Sequence, residues 1–177
     1  YNDAVTLGAT TTLTGTNINF ASTVDGAFSL STIASGATSF GGAIGGIPLT
    51  GLAISTSTLT AHAITLADNQ AISITNTGEG SIDGAIAGLG VTLTKAVTGN
   101  LSLSGTNTYT GTTTISAGSL TLTRSLSRDT NLVMTGSSSL DLQADLTIAS
   151  LSMSSGNSIA TSTGTSSLVV SGTSILG

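Results

Sequence analysis

Gly99–Thr123 reads GNLSLSGTNTYTGTTTISAGSLTLT. Three short alternating segments sit in it: Leu101–Leu103, Thr113–Ile115 and Leu120–Leu122. Turn-forming Gly, Asn and Ser separate them. Alternation of apolar and polar residues over a few positions, bounded by such residues, is the signature of a half-buried strand. No helical period competes with it. Strand centres recur about every nine residues, so connections are very short and the chain reads as all-β.

The segment Leu103–Leu122 also resembles the passenger-associated transport repeat of bacterial autotransporters. That motif runs roughly L-x-G-x-N-T-Y-x-G-x-T-x-I-x-x-G-x-L. Its positions are filled here by Gly105, Asn107, Tyr109, Gly111, Ile115, Gly118 and Leu120. The resemblance covers about one seventh of the chain. It implies that these residues are structural and that the fold is a right-handed parallel β-helix. It also implies a bacterial protein secreted by a type V pathway and displayed outside the cell or on its surface.

Working outward, the clearest internal repeat lies before this segment. Ile18–Ala27 aligns with Thr38–Ile47, so that Phe20 falls on Phe40, Val24 on Ile44 and Gly26 on Gly46. A third copy at Gly80–Gly88 puts Ile82 in the Phe position and Ile86 in the Val/Ile position. A fixed period of about 20 residues built from strands predicts a solenoid. Phe40–Leu52 further resembles repeats of filamentous-haemagglutinin-like exoproteins, of the form F-x-G-x-V-G-G-x-x-P-L-x-x-L. At three short strands per coil, 177 residues make eight or nine coils. With strands stacked about 4.8 Å apart, the rod is roughly 40 Å long. Inward positions are Leu, Ile, Val and Phe; outward positions are mostly Thr and Ser, which suit a solvated sheet face.

Other alternating segments fall at Val5–Leu7, Thr11–Leu13, Leu52–Ile54, Ile64–Leu66, Ile72–Ile74 and Val91–Leu93. Further on come Leu132–Met134, Leu140–Leu142, Leu146–Ile148, Leu151–Met153 and Leu168–Val170. Thr161–Ser167 reads as a loop. No linker or shift in composition divides the chain, so residues 1–177 are expected to form one domain. No amphipathic helix or Pro/Lys-rich cap is legible at either end. The open ends are therefore expected to pair with further coils, from a parent chain or from another copy. No leader segment is visible at Tyr1, which suggests a removed signal or an excerpt of a longer protein.

Composition narrows the function. Charged residues make up 6% of the chain and aromatics 3%, with 23 Gly, no Cys and a net charge of −5. Average domains carry about 25% charged residues. Yet 38% of the chain is hydrophobic, which argues for order rather than disorder. The only basic residues are Lys95, Arg124 and Arg128. That is too few to neutralise phosphates or to seek an anionic membrane surface. No run of about eighteen apolar residues supplies a membrane span.

Candidate chemistry is sparse. Asp141 and Asp145 are four residues apart, with a turn expected at Gln143–Ala144, and Arg124 and Arg128 lie near Asp129. A polysaccharide-cleaving site would need carboxylates paired at a defined separation. His62 is the single histidine, and it reads as a surface or turn residue with no Cys or acid near it. Gly78–Gly84 resembles one copy of a Gly/Asp-rich calcium repeat, with its spacing off. Asn100-Leu101-Ser102 is a lone glycosylation-type triplet. The phenylalanines read as core, and Tyr109 as filling its motif position near a coil corner, rather than as a sugar-stacking platform. Thr-x-Thr pairs at 58, 92, 112 and 121 raise ice or glycan binding, and only the pairs at 92 and 112 keep the repeat offset.

These readings predict a non-enzymatic structural or adhesive rod with no cofactor and no metal. Its expected partners are other copies of itself, stacked end to end into a fibre, and surface glycans or proteins. The alternatives are a glycan- or ice-binding module on a Thr-rich face, and less readily a carbohydrate-cleaving enzyme.

Overall fold

The computed structural model describes residues 1–177 and contains no helix. Alternating Leu/Ile/Val and Thr/Ser residues form 24 short strands. Every pairing between them is parallel and joins residues roughly 20 apart, as in Phe20 beside Phe40 and Ile72 beside Leu93. Strand n therefore pairs with its counterpart one coil later, not with its neighbour in sequence. This is the arrangement of a β-solenoid, and the longest sheet counts nine coils.

Each coil turns through three faces. The first face begins with Val5–Thr6, Val24–Asp25, Ile44–Leu49, Ile64–Leu66 and Ile86–Ala87. The second carries nine strands, from Thr11–Gly15 to Ser174–Leu176. The third carries eight, from Ile18–Phe20 to Ser158–Ala160. The first face then loses its strand for two coils, at residues 104–112 and 123–130. It resumes with Leu146–Ile148 paired to Leu168–Val170. The expected three strands per coil are thus present in the first five coils and the eighth.

Stacking places like on like. Val24 lies beside Ile44, and Ile64 lies between Ile44 and Ile86. Leu101, Leu120 and Leu140 form another inward column. Phe20 stacks on Phe40 with ring centroids 5.0 Å apart, and Tyr1 stacks on Phe20 at 5.1 Å. Together, 35 buried apolar residues form one continuous core along the rod. A coil is too thin to bury its own apolar residues, so each one is sealed by its neighbours above and below.

The repeat alignment is kept for Phe20 on Phe40 and for Val24 on Ile44. Beyond Ile44 it slips. Ile44 faces Ile64, but Leu49 faces Leu66, so a bulge expels Gly46, Ile47 and Pro48 into solvent. Gly26 then donates to Ile47 O rather than matching Gly46. In the third copy Ile82 follows Ala61 in the column headed by the phenylalanines, and Ile86 follows Ile64.

Candidate functional site

The motif segment lies where the first face has no strand. Two side chains there do the work of the missing ladder. Asn107, 3% exposed, accepts the Ile86 N–H through Oδ1 at 3.0 Å and donates through Nδ2 to Gly105 O. An amide side chain thus stands in for a strand carbonyl and leaves no buried donor unpaired. Tyr109 is fully buried, and its hydroxyl meets Thr113 Oγ1 at 2.6 Å. Burial pushes its phenol pKa upward, with the Thr113 bond opposing in part. In the following coil Thr130 Oγ1 donates back to Tyr109 O.

The glycines of the motif let backbones approach. A Cβ on Gly105 would lie 2.1 Å from Gly84 O. Gly118 turns the corner between the second and third faces at φ +72°, a region that glycine enters without strain. Gly111 lies against Val91, and Ile115 and Leu120 are buried in the core. All seven motif residues therefore sit within the body of one coil. None of their side chains offers a reactive group to solvent.

One coil earlier the same corner is made by Val97 at φ +60°. A β-branched residue is strained there. Beside it, Lys95 occupies an inward column between Ile74 and Ile115 and has no exposed surface. Its ammonium donates to Ala96 O and Val97 O, both at 2.9 Å. Desolvation lowers its pKa from 10.5 to about 8. Lys95 is therefore a core residue that caps the strained corner, not one of the chain's surface charges. Strand parity with Leu93 was the sequence signal for this.

The acids act as clamps between coils. Asp25 Oδ1 accepts Ile47 N, Asp68 Oδ1 accepts Leu89 N, and Asn100 Nδ2 donates to Glu79. Asp141 accepts Ser162 N, Ser162 Oγ and Gln143 Nε2. Asp145 Oδ1 accepts Ser167 N and Ser167 Oγ. The chain bends at Gln143–Ala144, so the two carboxylates grip opposite ends of the Thr161–Ser167 loop. His62 corrects a sequence expectation: an acid does lie near it. Its Nδ1 is 2.5 Å from Asp83 Oδ1, an acid 21 residues away that the solenoid period brings alongside. One His and one Asp fall short of a usual metal ligand set. Glu79 and Asp83, the acids of the calcium-like segment, have Asn100 and His62 as their partners.

The clamps on the last coils make their order acid-sensitive. The Ser162 hydroxyl first, with Gln143 and Ser162 N–H, holds Asp141 below its ordinary value of 3.8. The Ser167 N–H and hydroxyl do the same for Asp145. A lowered carboxyl pKa contributes stability that is present above 3.8 and lost as pH falls through the still lower folded values. Hydrogen exchange of the Leu168–Val170 amides is expected to accelerate only below that value. In an Asp141→Ala/Asp145→Ala variant the same amides exchange fast at neutral pH. Unchanged protection in the variant would remove the clamp role.

Of the Thr-x-Thr pairs, Thr94 lies beside Thr114 on the outer second face. The column continues as Val133 on one side and Ser73 on the other, so the Thr array spans two coils.

Comparison with known families gives one match. The family model described as passenger-associated-transport-repeat matches residues 93–122. The matched span contains Lys95, the Val97 corner and the whole strandless turn with Asn107 and Tyr109. No curated protein and no solved structure matches the chain.

Proposed function

We propose that this chain is a length of extracellular, surface-displayed rod of an autotransporter-type passenger, with a structural and adhesive role. The observation that carries this reading is that the matched repeat is built into the coil stack. Its motif residues replace a strand from within and leave the rod continuous through nine coils. Contacts to other molecules then fall to the lateral Ser/Thr faces and to the coil edges. The outer coils bear large exposed apolar side chains, Tyr1 at one end and Ile175 and Leu176 at the other. A further coil, from the same chain or from another copy, would cover them and continue the backbone ladders.

Electron microscopy of the purified chain across a concentration range, with and without calcium, tests this. Fibres with a coil-stack repeat assign the edges to self-assembly. Single rods about 40 Å long assign adhesion to the lateral faces. Compact particles with no long axis would overturn the reading. The second reading, a glycan- or ice-binding face, is supported only by the Thr94–Thr114 register.

A further inference from the structure

The distribution of charge around the rod is uneven. Asp25 lies on the first face and Arg124, Arg128 and Asp129 in its strandless loop; Glu79 and Asp141 lie on the third. The second face spans all nine coils, and its outward positions hold no charged residue. Its one ionisable strand residue, Lys95, points into the core. The outward positions are Ser, Thr, Ala and Gly with few exceptions. Across the first four coils a trough of about 280 Å³ is lined along one side by Ser29, Gly51 and Ala71, along the other by Ser31 and Ala53, and at its first-coil end by Thr11. At its side stands Ile33, 46% exposed.

We propose that this second face is a lateral interface on which two copies of the chain pack face to face. It rests on the rod reading above and names the partner of one lateral face. Two copies carrying −5 each repel one another. The uncharged face is the one long surface on which they meet without like charges opposed. Small side chains allow two sheets to approach to about 10 Å and interdigitate without water. A two-fold axis along the rod sets each coil against the same coil of the second copy. Because this axis reverses the strand direction, Ile33 of one copy comes over the Ser29–Gly51 edge of the other copy's trough. Nine strands at about 4.8 Å, three to six residues long and averaging about five at about 3.3 Å each, offer roughly 700 Å² per copy. Two such patches give about 1,400 Å², within the range of specific stable interfaces. Such a pair closes, whereas coil-on-coil stacking remains open-ended.

Sedimentation velocity on the full chain over a concentration series tests this, with two variants of equal charge change. Ala53→Arg puts a cation in the trough, and Ser102→Arg puts one on the third face. Both sites are solvent-facing, so both variants keep the fold. The expected result is a monomer–dimer equilibrium, weakened at least tenfold by Ala53→Arg and unchanged by Ser102→Arg. Added salt strengthens it, because screening weakens the repulsion between two copies of net charge −5. A chain that stays monomeric overturns the proposal, and so does a dimer weakened equally by both variants. Growth beyond two copies that ignores Ala53→Arg also overturns it, and leaves the rod reading intact.

Discussion

Tyr109→Ala is expected to destabilise the chain by about 4 kcal/mol, the cost typical of truncating a buried aromatic ring. The ring has no exposed surface and fills a coil whose first face has no strand. Neighbouring side chains are held in register by the coils above and below and cannot collapse into the space. The Thr113 hydroxyl, itself fully buried, also loses its partner. Tyr109→Phe keeps the ring and removes only that bond, so it is expected to cost about 1–2 kcal/mol. Urea unfolding of the three proteins measures both steps. A loss below about 1 kcal/mol for the Ala variant would mean that the motif tyrosine is not a packing residue. Large loss in the Phe variant alone would shift the weight from ring to hydroxyl.

Lys95 gives the second large effect, and it is a pH effect. The folded pKa, about 8, lies below the ordinary 10.5. Between the two values the unfolded chain holds a proton that the folded chain has released. Stability therefore rises with pH across that window and is level below it. The gain is on the order of 2 kcal/mol by pH 10. Tyr109 opposes it higher up: its raised pKa keeps a proton in the fold that the unfolded chain loses, so stability falls above about pH 10. Urea midpoints at pH 7 and pH 10 should thus differ in the natural sequence. In Lys95→Met the rise should vanish, because the aliphatic stem remains between Ile74 and Ile115 while the titrating group is gone. A rise that persists in the Met variant would assign the titration elsewhere.

Much of this architecture is legible in the amino-acid sequence. Alternation placed most of the strands, and the offset between Phe20 and Phe40 gave the period and so the number of coils. Both are properties of nearest neighbours and of one repeat length. The strandless turns were not legible. Asn107 and Tyr109 look like turn residues in sequence, yet they sit inside the core. Nor was the Ile44–Leu49 bulge, where residues are inserted without changing the local alternation.

The candidate site divides along the same line. Composition alone determined that the surface is nearly uncharged, because three basic and eight acidic residues cannot cover a rod of 177. Within the regular strands, alternation alone determined which residues face inward. The tertiary structure decided what the few charges do. His62 meets Asp83 and Asp145 grips Ser167 only because a coil closes after about 20 residues and sets its successor directly above. It also decided that the second face runs unbroken and uncharged while the first is interrupted. Alternation is a local property, fixed by the two-residue repeat of an extended backbone. Which residue lies above which depends on the summed length of three strands and three corners. One bulge or one strandless turn shifts that sum, and no single stretch of sequence contains it.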